Sequence, residues 1–298
     1  MSFENPKTLS FRTLASMLGD ARDLVEEARR ELVEAYRASR MLKVHAIMPI
    51  LAVVVTGILQ AVLLVPLYNP LALSQVSPAK RVEFIASSLA DFVAYTGVVT
   101  SIFSLLTWLF MGLAIVHVSR VFRLKWEPLG LVIVVVAALA SVLLGYNSIV
   151  VRDVVYRASL EVLSRPEIAS IIADMSVRLS REELEAYAEA LAQVLARMQS
   201  PGVSLTAILA SILSIVPPIL AALAFEPIAR SVRSKWPRIL QMLLVLMVVQ
   251  TVVSHVALPG TAIVGIILSL VNILEPVAAW LTANRVRSYV EEKLVETQ

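Results

Sequence analysis

The chain has 298 residues, of which 58% are hydrophobic and 16% are charged, with a formal net charge of +3. Soluble domains carry about a quarter charged residues, so this composition excludes an ordinary soluble protein and indicates one that crosses a membrane. The absence of cysteine excludes disulfides, thiolate metal sites and a cysteine nucleophile, and the small net charge gives no sign of direct nucleic-acid binding.

Apolar runs of about 20 residues recur along the chain, the length that crosses a hydrocarbon layer of roughly 30 Å as a helix. Such helices satisfy their own backbone hydrogen bonds, so the sequence predicts an all-α polytopic membrane protein with six transmembrane helices. The predicted divisions are a cytoplasmic amphipathic helix (1–43), spans 1 to 3 (44–148), a small extracytoplasmic helical cap (149–203), spans 4 to 6 (204–282) and a cytoplasmic tail (283–298).

The first segment, from about Thr13 to Lys43, has apolar residues every three or four positions and charged residues between them. This period predicts an amphipathic helix. Two interpretations are open. The helix either docks a cytoplasmic partner or forms a coiled coil, or it lies on the membrane surface or covers the end of the protein's own bundle.

The segment between spans 3 and 4 is soluble in character and predicts three short amphipathic helices. A capping box starts the second, with Ser164 three residues before Glu167, and another starts the third, with Ser180 before Glu183. Some 50 residues make a thin core by themselves, so we expect this cap to pack on the membrane part or on a neighbouring subunit.

Two basic stretches resemble each other, S-R-V-F-R-L-K-W at 119–126 and A-R-S-V-R-S-K-W at 229–236. Each follows an apolar run and leads through a proline into the next run. Because Lys and Arg accumulate on the cytoplasmic side of membrane proteins, these turns and both termini are predicted to be cytoplasmic, and the cap extracytoplasmic. We expect a multi-pass protein of the cell (plasma) membrane.

The two basic stretches are 110 residues apart (230 − 120), and the same offset aligns span 2 with span 4 and span 3 with span 5. This spacing predicts a parallel two-hairpin repeat, a plan that some transporters use. The alternative is that the preference for Arg, Lys and Trp at inner turns produces the likeness without duplication.

Glu275 is the acidic residue placed well inside a predicted span, and an intramembrane carboxylate is a functional candidate. Asn272 lies on the same predicted helix face, and Pro276 leaves the carbonyl of Asn272 without its helical donor. These groups suit a proton or cation site, to which Gln250 in span 5 is expected to hydrogen-bond. The alternative is an interfacial position, as expected for the similar Glu226 before a proline.

Pro217 and Pro218 interrupt span 4 near its middle and are predicted to kink it, because neither proline can donate to the preceding turn. The repeat aligns them with the region of Trp108 in span 2, a Trp far from the interfacial belt and therefore expected to face protein. A broken helix opposite a buried Trp would line a substrate path; a merely kinked packing helix is the alternative.

Signatures of common enzymes, such as GxSxG, HExxH and the Walker loop, are absent from the sequence. We therefore expect no enzyme activity and no cofactor. His45, His117 and His255 lie near span ends at different places, so we expect interfacial or core roles rather than one metal site.

The first functional hypothesis is a channel-like or translocation subunit of a multi-protein transport machine. In layout, six spans with a large central extracytoplasmic segment resemble the polytopic membrane subunit of type IV secretion and archaeal DNA-import machines. This resemblance is one of topology and implies a cytoplasmic ATPase or pilin-like membrane partner, besides the lipid bilayer. Whether the chain forms a homo-oligomer stays open.

The alternative hypothesis is a non-transporting membrane scaffold or organising protein. The order of spans 2 to 5 is similar to that of the Yip family of membrane-trafficking proteins, although the Gly-rich inner turn of that family is missing here.

Arginine greatly outnumbers lysine, and Asn and Gln are scarce, which is the composition expected of a thermophile.

Overall fold

The computed structural model describes residues 11–68, 73–174, 180–199, 205–232, 234–255 and 270–296. Within these ranges the chain is all-helical, with eight helices and no strand. The helices are α1 (Phe11–Tyr68), α2 (Pro78–Val121), α3 (Glu127–Leu163), α4 (Pro166–Ala173), α5 (Arg181–Gln199), α6 (Leu205–Ser231), α7 (Trp236–His255) and α8 (Val271–Glu296).

Five of the described helices, α1, α2, α3, α6 and α7, are long and apolar enough to cross a membrane. This agrees with a helical, multi-pass membrane protein. The sixth predicted span begins at 261, and much of it lies in 256–269, outside the described residues. From Val271 onward α8 continues to Glu296, so the predicted cytoplasmic tail is helical.

Helix α1 passes without a break from the amphipathic segment into the first apolar run. Its 58 residues make it about 87 Å long, well beyond a hydrocarbon layer of about 30 Å. The junction at 39–46 contains neither Pro nor Gly, and a change of hydropathy alone does not end a helix. Helices α2 and α3 likewise extend past the predicted ends of their spans.

The long helices form a closed ring in the order α1, α2, α3, α6, α7, α8, with α8 returning to α1 and a smaller α2–α6 contact across it. The two hairpins, α2–α3 and α6–α7, lie side by side in this ring. An apolar cluster fills its centre, and its largest fully buried members include Leu42, Met111, Ile115, Phe225 and Leu240.

Helices α2 and α3 approach most closely at two facing glycines. A Cβ on Gly112 would lie 2.6 Å from the carbonyl oxygen of Gly130, and a Cβ on Gly130 would lie 2.5 Å from that of Gly112. Farther along, the space that a Cβ on Gly97 would need is filled by Ser148. Small residues thus let this hairpin close tightly, as they do in membrane helix pairs generally.

The cap packs on the N-terminal part of α2 and the C-terminal part of α3, which complete its core. Its buried apolar members come from four helices and the loop before α2, and include Leu73, Ile85, Leu89, Val162, Leu163, Ile172 and Val194. The expectation that so short a segment needs support from the rest of the chain is therefore confirmed.

One of the two predicted capping boxes is present. The Ser180 N–H donates to Glu183 Oε2 at 2.7 Å, and the Glu183 N–H donates to Ser180 Oγ at 3.2 Å. The box at Ser164 is wrong, because α3 continues to Leu163 and Ser164 is its C-terminal cap. Pro166 then starts α4 and keeps Arg165 out of helical conformation, so Arg165 is the N-cap residue.

Candidate functional site

A buried ion-pairing contact joins α1 to α8. His45 Nε2 lies 2.7 Å from Glu275 Oε1, and the two side chains are only 2% and 4% exposed. The residues are 230 positions apart in the chain. Glu275 is therefore enclosed within the bundle and does not lie on the surface as Glu226 does.

The contact of the other ring nitrogen shows that Nδ1 of His45 carries a proton. His45 Nδ1 lies 2.9 Å from the main-chain carbonyl oxygen of Thr107 on α2. A carbonyl only accepts hydrogen bonds, so Nδ1 carries a proton and donates. One further proton then lies between Nε2 and the carboxyl group, as imidazolium with carboxylate or as imidazole with carboxylic acid. Either form leaves the pair without net charge.

The surroundings of the pair are apolar. Leu42 and Ala46 on α1 and Ala278 and Ala279 on α8 belong to the central cluster. The ring of Trp108 has its centroid 6.2 Å from that of His45. Few water molecules compete in such surroundings, so the hydrogen bond is stronger than in water and a net charge there is costly.

The pair lies deeper in the bundle than a nearby cation–aromatic contact. The Lys43 ammonium is 5.2 Å from the ring centroid of Trp280, a side chain that is 40% exposed. Trp rings and lysine termini of this kind favour the membrane–water boundary. Trp280 is five residues beyond Glu275 on α8, which separates the two residues by about 7.5 Å along the helix axis.

The structure separates the other predicted residues around Glu275. Asn272 is exposed, although it precedes Glu275 by less than one helical turn. Gln250 is half-buried on α7, and within the described residues the hydrogen bond of Glu275 goes to His45 instead. Trp108 is buried at 8% exposure, as predicted for a Trp that faces protein.

Pro217 and Pro218 are both buried, and α6 continues as helix through them. Since neither can donate, the carbonyls of Leu213 and Ser214 lose their usual helical partners. In the ring, α6 lies opposite α1. The prolines and the His45–Glu275 pair therefore occupy different sides of the bundle.

Arg81, at the start of α2, is a second buried polar centre. It is 4% exposed, and its Nε donates to the carbonyl oxygens of Leu73 at 3.0 Å and Val76 at 3.1 Å. Its Nη1 donates to Ala173 at the end of α4 and to Ile172 at 3.5 Å. The guanidinium thus holds the cap to α2 through main-chain groups.

The first basic turn, at 119–126, is neutralised by the N-terminal part of α1. Arg123 pairs with Glu27 and, at 3.1 Å, with Glu31. Glu34 lies 3.9 Å from Arg120 and accepts a hydrogen bond from His117 Nδ1 at 2.5 Å. Of the two interpretations of the N-terminal helix, these contacts favour covering the end of its own bundle.

The second basic turn, at 229–236, has a different environment. Arg230 pairs with Glu226 at 2.5 Å, and the Lys235 ammonium lies 5.5 Å from the centroid of the Trp236 ring. Within the described part of the chain, Lys235, Arg238 and Arg285 form no ion pair. Among the described residues, both arginines of the first turn thus pair with acids, whereas Lys235 and Arg238 beside the second turn do not.

Comparisons of the chain with protein-family models, with curated proteins and with solved structures find no match. Among the described residues, no three His, Asp or Glu side chains come together as metal ligands would. His45 and His117 instead each pair with one carboxylate, at different levels of the bundle. The site with distinct chemistry is thus the His45–Glu275 pair.

Proposed function

We propose that the protein is a membrane transport subunit in which the His45–Glu275 pair responds to protons. The observation that carries this proposal is a titratable pair, almost fully enclosed, that bridges two helices of an apolar bundle. Intramembrane groups of this kind are characteristic of proton and ion pathways.

The pair couples proton binding to helix packing through its charge. With one shared proton it is neutral and stabilises the contact of α1 with α8. A second proton, or the loss of the first, leaves a net charge among apolar side chains, which costs several kcal/mol in a dry interior. Either change favours separation of α1 from α8 and entry of water. The position of α8 thus depends on proton occupancy.

The wider proposal is a channel-like or translocation subunit in the plasma membrane, with both termini cytoplasmic. Its support is the ring of six helices and the freed carbonyls before Pro217 and Pro218. In a secretion or DNA-import type of machine, a cytoplasmic ATPase or pilin-like membrane protein would be the partner, and it would co-purify with the tagged chain.

Proton movement in vesicles tests the proposal. The purified chain is reconstituted in liposomes that enclose a pH-sensitive dye, and an imposed pH gradient is followed for wild type and Glu275→Gln. Glutamine keeps a hydrogen-bond donor for His45 but cannot ionise. The matched control is Glu226→Gln, which changes a carboxylate that also precedes a proline but is 44% exposed.

We expect proton flux above that of protein-free vesicles for wild type and Glu226→Gln, and at least a tenfold loss for Glu275→Gln. Equal flux for all three proteins, or none for the wild type, would contradict the proposal.

The second candidate is the scaffold, which one observation favours. The acids Glu27, Glu31 and Glu34 and the His45–Glu275 pair tie α1 to the ends of α2 and α8, as a static brace would. A scaffold predicts that Glu275→Gln retains partner binding and every cellular phenotype. Loss of activity with retained folding supports transport.

A further inference from the structure

Two concave surfaces meet at the second basic turn, between the end of α6 and the last part of α8. One has a volume of about 400 Å³ and the other of about 510 Å³. They share Val232 and Ser234 and are therefore adjacent, and we treat them together as two lobes. We refer to both together as the second-turn cavity.

The lobe next to α8 carries groups that bind phosphate. It is lined by the hydroxyl-bearing Ser231, Ser234 and Ser288 and by the cations Arg285 and Lys293. Arginine matches the oxygen geometry of a phosphate group with paired N–H donors, and serine hydroxyls supply further donors. This donor set suits an oxyanion better than it suits an apolar ligand.

The charge around the cavity is unbalanced. Among the described residues, five cations border it, namely Arg230, Lys235, Arg238, Arg285 and Lys293. The nearby acids are Glu292 in the lining and Glu226, which pairs with Arg230. Lys293 also lies 3.3 Å from Glu31. Five cations against the three acids Glu226, Glu292 and Glu31 leave a surplus of two positive charges to attract an anion.

The cavity lies where a lipid headgroup would be. The turn joins α6 to α7, both long enough and apolar enough to cross a membrane. Trp236, a residue type of the membrane–water boundary, begins α7. In the first basic turn, by contrast, acids of α1 already bind the arginines.

We propose that the second-turn cavity binds the phosphate group of an anionic lipid headgroup. The headgroup phosphate contacts Arg285 and the serine hydroxyls, and Lys235 and Arg238 attract the surrounding anionic lipids. This inference is independent of proton transport, because it uses neither His45 nor Glu275.

The test is lipid binding by the full-length protein in detergent. The shift of the thermal unfolding midpoint is titrated with phosphatidylglycerol, with phosphatidylcholine and with inorganic phosphate, each relative to the lipid-free protein. The variants are Arg285→Ala, Arg285→Lys and Ser288→Ala. Arg123→Ala, in the neutralised first turn, is the matched control for loss of one basic residue.

We expect phosphatidylglycerol to shift the midpoint more than phosphatidylcholine. Arg285→Ala should raise about fivefold the phosphatidylglycerol concentration that produces a given shift, the factor in affinity for one cation near an anionic surface. Arg285→Lys should weaken it less, Ser288→Ala should weaken it measurably, and Arg123→Ala should leave it unchanged. Because Arg285 is exposed, its replacement should not prevent folding.

Equal responses to the two lipids would overturn the proposal, as would equal losses in Arg285→Ala and Arg123→Ala. A response to inorganic phosphate that depends on Arg285, without a response to phosphatidylglycerol, would show a site for soluble phosphate and overturn the assignment to lipid.

Discussion

The molecule buries two polar centres, and they differ in what they can do. In the membrane part, His45 and Glu275 are joined side chain to side chain, with Thr107 accepting from the imidazole. In the cap, the guanidinium of Arg81 is held by main-chain carbonyls of the loop before α2 and of α4. Both groups are less than 5% exposed.

The two centres differ in whether their groups can gain or lose a proton. Arginine stays charged at every accessible pH, and its partners are carbonyl groups that do not titrate, so Arg81 is a fixed structural tie. Histidine titrates in the physiological range, and a buried carboxyl can exchange a proton with it. Burial alone therefore does not distinguish the two centres; the chemistry of the buried groups does.

The largest expected loss of stability follows replacement of Arg81. Arg81→Met keeps much of the side-chain volume but leaves the carbonyls of Val76 and Ala173 without their donor. We expect the cap to lose about 4 kcal/mol of stability, because unsatisfied buried acceptors cost roughly 1–3 kcal/mol each and the charged hydrogen bonds are lost.

Hydrogen exchange of the α4 and α5 amides measures this loss at two pH values. The increase in exchange should be independent of pH once intrinsic rates are removed. Arg165→Ala, which removes an exposed arginine bonded to Gln193 at 3.0 Å in the same cap, is the control and should have little effect. Similar exchange in both variants would contradict the role of Arg81.

A smaller effect is expected at Glu275, and it should depend on the replacement. Glu275→Ala leaves His45 buried without its partner and should cost about 3 kcal/mol. Glu275→Gln keeps a donor to Nε2 and should cost less than about 1 kcal/mol. Thermal unfolding of the two variants at one pH makes the comparison. Equal destabilisation would show that the hydrogen bond to His45 does not stabilise the bundle.

The smallest effect is expected at Glu291, outside the membrane part of α8. Hydrogen bonds from Arg287, and secondarily from the hydroxyl of Tyr36, lower the pKa of Glu291 from its ordinary value of 4.5. A lowered pKa means that the stabilisation is present above about pH 4.5 and is lost as the pH falls through the lower folded value.

Thermal unfolding between pH 6 and acid should therefore show a small loss of stability that Glu291→Gln removes. Glu292→Gln, a change of the exposed neighbour, should retain it. If Glu291→Gln and wild type have the same pH profile, this carboxylate does not contribute.

Apolar run length predicted the helical membrane class and most of the long helices, because burial in a bilayer leaves a strong compositional signal. The helix junctions were not predicted correctly. Residues 39–46 contain no helix-breaking residue, so α1 continues through the predicted start of span 1. Helix α3 likewise continues through the predicted start of the cap, and a new helix begins only at Pro166. The predicted capping box formed at Ser180 and did not form at Ser164, which follows the end of α3.

The candidate site was predicted in part. Glu275 was identifiable because a carboxylate in an apolar run is costly, but its partner is 230 positions away and no local pattern links the two. The available signal was a second ionisable residue, His45, next to an apolar run. Its position near the end of a predicted span left both an interfacial and a core role open. Arg81 carried no signal, since its partners are main-chain carbonyls.

Infrared titration of the purified protein tests most directly whether the His45–Glu275 pair exchanges a proton. The carbonyl stretch of a protonated carboxyl group is followed from alkaline to acidic pH in wild type, Glu275→Gln and Glu226→Gln. We predict that the wild type and Glu226→Gln have a pH-dependent component, in addition to the band of the exposed carboxyl groups, that is absent from Glu275→Gln. Identical titrations in the wild type and Glu275→Gln would contradict the account.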